Sequence, residues 1–137
     1  MYTHIMVPVD LTLPPAIDRA AEVAGKIAQW QQAKITLMAV VGTGISAAPH
    51  DPEAVDKALE DARKRFDAYT TQPISKCTID SHDVAAELDH DLTVAAEQLG
   101  VDLVVVGTHA PRVMDFLTTG HAGYLAKHAK MSVLVVR

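Results

Sequence analysis

Apolar positions along the chain follow two alternating patterns. Short runs rich in β-branched residues, at positions 5–9, 34–41, 74–79, 102–106 and 132–136, have the length and composition of strands. Between them apolar residues return every three or four positions, as on one face of a helix. Ile17, Ala20, Ala21, Ala24, Ile27 and Ala28 predict a first helix ending near Trp30, with Pro14 and Pro15 suited to its first turn. Val55, Ala58, Leu59, Ala62 and Phe66 predict a second, capped by Asp51 and ending near Tyr69. Val84, Leu88, Leu92, Ala95, Ala96 and Leu99 predict a third, from about Asp83 to a stop at Gly100. Ala122, Leu125, Ala126 and Ala129 predict a fourth, starting near Thr119. In the second strand Ile35, Leu37, Ala39 and Val41 alternate with Lys34, Thr36 and Met38. Pro8 is awkward in a buried strand, because it cannot donate a ladder hydrogen bond.

Strands and helices therefore alternate from end to end. Right-handed crossovers between successive strands make this an α/β domain spanning 1–137, with a doubly wound five-stranded parallel sheet and about four helices on its two faces. In such a sheet, ligands sit beyond the carboxyl ends of the strands, where the strand order reverses. Asp10 closes the first strand and Gly107 the fourth. If those strands are neighbours, Asp10, Thr12, Val41 and the loop after Gly107 converge. That loop leads through a second glycine, Gly120, into the fourth helix. A strand, a glycine loop and a helix start together aim amide donors at one place, which suits an anion. The connection from Gly42 to Pro52 is longer than most strand-to-helix loops and is a candidate functional loop.

Composition narrows the function classes. Net charge is −5, which argues against non-specific nucleic-acid or anionic-membrane binding. No apolar run is long enough for a membrane span, and the first residues lack the basic and apolar regions of a signal peptide. The single cysteine, Cys77, can form no internal disulfide, which fits a reducing, cytoplasmic setting. Aromatic residues are only 4% of the chain, so the core has to be built from Ala, Val, Leu and Ile.

Three segments together resemble the universal stress protein family: Ile-Met-Val-Pro-Val-Asp ending at Asp10, Val-Val-Val-Gly-Thr-His ending at His109, and Ser-Val-Leu-Val-Val-Arg at the C-terminus. The resemblance runs over the whole chain. It implies the strand order 3-2-1-4-5, a homodimer joined through the last strand, Ser132–Val136, and a stress-response role with a protein partner the sequence does not identify. It also implies an ATP or AMP site, with or without magnesium, built on a Gly-x-x-Gly, nine-residue, Gly-Ser/Thr motif. Gly107 matches the first glycine and Gly120 the third; Ala110 replaces the second glycine and His121 the Ser or Thr. Asp10 matches the acidic residue that meets the adenosine, Val40 or Val41 the position whose backbone faces the adenine, and Thr12 a small hydroxyl residue. Pro8 and Val9 lead into this site, and Thr108, His109, Arg112 and Ala122 complete the set the resemblance marks as cofactor-binding.

The two replacements have physical content. Ala110 resists the positive φ that glycine allows, and Pro111 restricts it further and lacks an amide. Arg112, His109, Thr118 and Thr119 offer other phosphate donors. Three functions follow: a nucleotide-binding stress module, a dimeric interaction protein with a vestigial pocket, or a slow ATPase. No catalytic residue is assigned, since no Walker lysine and no spaced acidic pair is present. No metal site is assigned either; Glu87-x-x-His90 is a single copy on a polar helix face. His82 and Asp83 read as a strand exit and a cap, Gly42-x-Gly44 as a loop, and Cys77 as a small core residue.

Overall fold

β1 (His4–Val9) is the central strand of a five-stranded parallel sheet. It is flanked by β2 (Lys34–Gly42) and β4 (Leu103–Gly107), with β3 (Ile74–Ser81) and β5 (Ser132–Val136) at the edges. The order is β3-β2-β1-β4-β5, as the family resemblance implied. The computed structural model describes residues 1–9, 16–42, 51–81, 84–107 and 130–136, with side chains at 16, 42 and 84–89 left aside. Three helices lie within these residues: α1 (Ala16–Gln31), α2 (Pro52–Lys64) and α3 (Val84–Gln98). The fourth expected helix lies outside them.

Two apolar layers hold the sheet. On one face Ile5, Val7, Ile35, Leu37, Ala39, Leu103 and Val105 pack against α1 and α2. Ala20, Ala21, Ala24 and Ala28 make the inner stripe of α1, so that helix can lie close to the strands. Phe66 fills the space between α2 and α1 and is fully buried. On the other face Met6, Met38, Val104, Val106 and Met131 pack with Leu92 and Ala96 of α3. In β2, Thr36 and Met38 are as buried as the residues they alternate with, because helices cover both faces of a parallel sheet.

Local chemistry sets the helix ends. Asp51 caps α2, its carboxylate accepting from the Glu53 amide at 3.2 Å. α2 stops at Lys64 rather than near Tyr69, because the Arg65, Phe66 and Asp67 amides each bond three residues back. α3 ends as expected at Gly100, which has φ +67. The Val101 amide reaches the Ala96 carbonyl at 2.8 Å and the Gly100 amide reaches that of Glu97 at 3.1 Å, a Schellman arrangement. α1 ends the same way without a glycine, with Gln32 at φ 57 and the Ala33 amide on the Ala28 carbonyl. No helix among the described residues is long and apolar enough to cross a membrane.

Candidate functional site

The strand order reverses between β1 and β4, so the crevice of a doubly wound sheet lies beyond their carboxyl ends. The ladder between these strands is short. It pairs Ile5 with Leu103 and Met6 with Val104, whereas β1 and β2 pair along the whole of β1. Pro8 supplies the reason. The His4 carbonyl accepts from the Asp102 amide, so the His4 backbone faces β4. Backbone direction repeats every second residue, which turns Met6 and Pro8 to the same side. Pro8 has no amide to offer there, and the ladder ends. The awkward proline of the sequence thus stands where the β1–β4 ladder ends, next to the candidate site.

The described part of the site is a rim. Burial falls at each strand end: Pro8 and Val9 of β1, Val40 and Val41 of β2 and Gly107 of β4 are all half-buried, directly after fully buried residues. β2 extends furthest. Val9 pairs with Ala39, so Val40, Val41 and Gly42 project past the end of β1 and pair with β3 instead. Val9 and Val41 pack on the α1–α2 face, whereas Val40 packs on the α3 face. The two valines offered by the sequence for an adenine position therefore present their side chains to opposite layers. The Val41 side chain shares the layer of Val9. Ser81, at the end of β3, is buried beside this edge.

Pro8, Val9, Val40, Val41 and Gly107 are thus brought to one end of the sheet. Asp10, Thr12, Thr108, His109, Arg112, Gly120, His121 and Ala122 lie outside the described residues, as do Ala110 and Pro111. Among the described residues no group of three or more His, Cys, Asp or Glu is placed to hold a metal ion. His90 is exposed, and Cys77 is half-buried against the α3-side core.

The displaced titrations lie elsewhere. Glu22, Glu60 and Arg63 belong to surface ion pairs on α1 and α2, and Lys76 of β3 pairs with Glu60 of α2, with Glu60 held low first by its hydrogen bond from Arg63. A second group sits at the opposite end of the sheet and escaped the sequence reading. His4 is 4% exposed. Its Nδ1 lies 3.0 Å from the Leu99 carbonyl and its Nε2 lies 2.8 Å from Thr36 Oγ1. Thr36 Oγ1 is 2.9 Å from Ser75 Oγ, which can also donate to the Ile35 carbonyl at 3.3 Å. Beside it, the Asp102 carboxylate accepts from the Thr3 amide and hydroxyl at 2.8 Å and from the His4 amide at 3.1 Å. The available signal was three polar residues, His4, Thr36 and Ser75, on the same face of adjacent strands, the first two buried and Ser75 exposed. It becomes visible only with the strand order known.

The model of the universal stress protein family matches residues 1–137. Universal stress protein G of Shigella flexneri is 29% identical over 143 residues, covering all of both chains. Among solved structures, a universal stress protein in complex with cAMP superposes with a TM-score of 0.70 at 22% identity, covering 99% of this chain and 97% of that one. The universal stress protein of Archaeoglobus fulgidus in complex with dAMP superposes with a TM-score of 0.73 at 14% identity, covering 99% and 98%. At these identities the structural likeness is one of fold.

Proposed function

The chain belongs to the universal stress protein family, and we propose that it is an adenine-nucleotide-binding module that holds ATP or AMP beyond the carboxyl ends of β1 and β4. The observation that carries this reading is the reversal of strand order between β1 and β4, where their ladder ends after Met6 and Val104. The half-buried rim of Val9, Val41 and Gly107 supplies apolar contact for a base beside backbone groups that can orient it. Similar folds in complex with cAMP and dAMP support the choice of an adenine nucleotide. In this reading Asp10 meets the ribose, and the segment from Gly107 to Gly120 holds the phosphates, with Arg112 and His109 as further donors. Ala110, Pro111 and His121 change the phosphate end, not the base end, so AMP and ATP differ less in affinity here than in a glycine-rich loop.

Calorimetric titration with ATP, ADP and AMP tests it directly. Binding of each, lost in Asp10→Ala, is the expected result. The absence of heat and of thermal stabilisation at millimolar nucleotide overturns it.

A second reading is favoured by one specific feature. β5 is an edge strand whose Leu134 and Val135 are 36% and 38% exposed. An apolar edge of this kind is a template for pairing with another chain. We propose a homodimer joined through β5, which in the absence of nucleotide binding leaves a cytoplasmic interaction protein with a vestigial pocket. Sedimentation at tens of micromolar separates monomer from dimer.

A further inference from the structure

We propose that His4 is a proton-sensitive latch: as a neutral imidazole it fastens the α3–β4 connection to the centre of the sheet, and protonation loosens that connection. The connection is stitched to the start of β1 at several points. The His4 Nδ1–H donates to the Leu99 carbonyl, one of the last carbonyls at the α3 terminus, which have no partner within the helix. The Asp102 amide donates to the His4 carbonyl, and the Asp102 carboxylate takes the Thr3 and His4 amides. With Nδ1 protonated, Nε2 of the neutral ring is an acceptor, and the Thr36 hydroxyl donates to it at 2.8 Å. The Ser75 hydroxyl is then free to donate to Thr36 Oγ1 or to the Ile35 carbonyl.

A second proton on the ring reverses this chain. Nε2–H must donate to Thr36 Oγ1, the buried Thr36 hydroxyl must turn to Ser75, and the Ser75 hydroxyl must turn to solvent, to which Ser75 is exposed, or to the Ile35 carbonyl. That last contact, at 3.3 Å, is the longest in the chain. The cation would also be buried in the α3-side layer. The groups acting on it come from each neighbouring element. β2 presents the Lys34 ammonium, which opposes the charge; the α3–β4 connection presents the Leu99 carbonyl and the Asp102 carboxylate, which favour it; β3 presents the uncharged Ser75. Burial dominates, Lys34 adds to it, and the imidazole is held below its ordinary range.

The consequence follows from proton linkage. The unfolded chain takes the proton first, so His4 stabilises the connection fully above the ordinary histidine pKa and progressively less as pH falls below it. β1 and β4 both start at this junction and end at the crevice, so loosening it changes the footing of the two strands that frame the site. The inference rests on the His4 surroundings alone and not on nucleotide binding.

Histidine-selective NMR titration of the wild-type protein, with amide exchange of Leu99 to Val101 followed from about pH 7.5 to about pH 5.5, tests it. The expected result is an Nδ1–H tautomer, a midpoint below that of a free histidine, and a several-fold rise in opening at Val101 on acidification, after correction for intrinsic exchange. His4→Gln should remove that rise. Ser75→Ala should lower the midpoint further, because the buried Thr36 hydroxyl loses its acceptor in the protonated state. The proposal is overturned by an Nε2–H tautomer, by a midpoint at or above that of a free histidine, or by opening at Val101 that does not change with pH. The wild-type titration decides the matter even if the variants do not fold.

Discussion

Gly25→Ala puts the packing of α1 to a quantitative test. A Cβ at Gly25 would lie 2.7 Å from Tyr69 Cβ, about 0.7 Å inside ordinary van der Waals contact, and 3.7 Å from both Phe66 Cδ1 and the Tyr69 carbonyl carbon. The obstructing atom is next to the backbone, so no rotamer change removes it. The turn carrying Tyr69 is also tied down. The Tyr69 amide bonds to the Phe66 carbonyl at 2.8 Å, and the Gln29 side-chain carbonyl, one helical turn beyond Gly25, accepts from the Thr71 amide at 2.8 Å and the Thr70 hydroxyl at 3.1 Å. Replacing glycine by alanine inside a helix gains about 1 kcal/mol from propensity. Forcing a methyl group into a packed contact costs about 1–3 kcal/mol. The net expectation is a loss of about 1 kcal/mol, or a fall in melting temperature of about 3 °C for a chain of this size. Urea unfolding followed by far-ultraviolet circular dichroism is the suitable assay, since Trp30 is 80% exposed and a poor fluorescence reporter. Tyr69→Gly removes the obstructing atom, so the double mutant should recover about 1 kcal/mol relative to additivity. If Gly25→Ala alone stabilises the protein by the full propensity gain, the close approach is refuted.

Other outcomes follow from the same geometry. Gly100→Ala should cost about 1 kcal/mol through its positive φ alone, as a Cβ there meets nothing within 4 Å; Gln32→Gly, at the matching position after α1, should instead stabilise by about 0.5–1 kcal/mol, both read by denaturant titration. Asp102→Asn should cost about 2 kcal/mol by removing a charged acceptor from the Thr3 and His4 amides. Burial raises the Asp102 carboxyl, but its hydrogen bonds from Thr3 and His4 outweigh that and hold it low. Its contribution is therefore present above the ordinary carboxylate range and lost as pH falls through it, and acid unfolding of the variant should begin from a lower starting stability with a shallower slope. Leu134→Lys on the exposed edge strand should shift the proposed dimer to monomer in sedimentation; an unchanged dimer places the interface elsewhere.

The site was legible from sequence where one residue type carried one backbone consequence. Gly107 and Val9 were recognisable as strand ends, and Gly100 and Asp51 as helix boundaries, because each signal is local. Pro8 was visible as an anomaly but not as an explanation. Its effect depends on which neighbour its missing amide faces, and that follows from the Asp102–His4 bond across the sheet. Val40 and Val41 were offered together, since neighbouring strand residues differ only by the face they present. Packing assigns Val41 to the layer of Val9 and Val40 to the layer of α3.

The hydrophobic pattern by itself determined that the chain is an alternating α/β domain, because period and length are local properties of the sequence. It also determined where most elements begin and end, through caps, glycines and prolines. Only the tertiary structure decided that Thr36 and Met38 are buried. A strand covered on both faces carries no polar side for the alternation to mark. Only the structure joined His4, Thr36 and Ser75. They lie on three different strands, and residues so far apart in sequence become one hydrogen-bonded chain only when the strand order 3-2-1 sets them side by side.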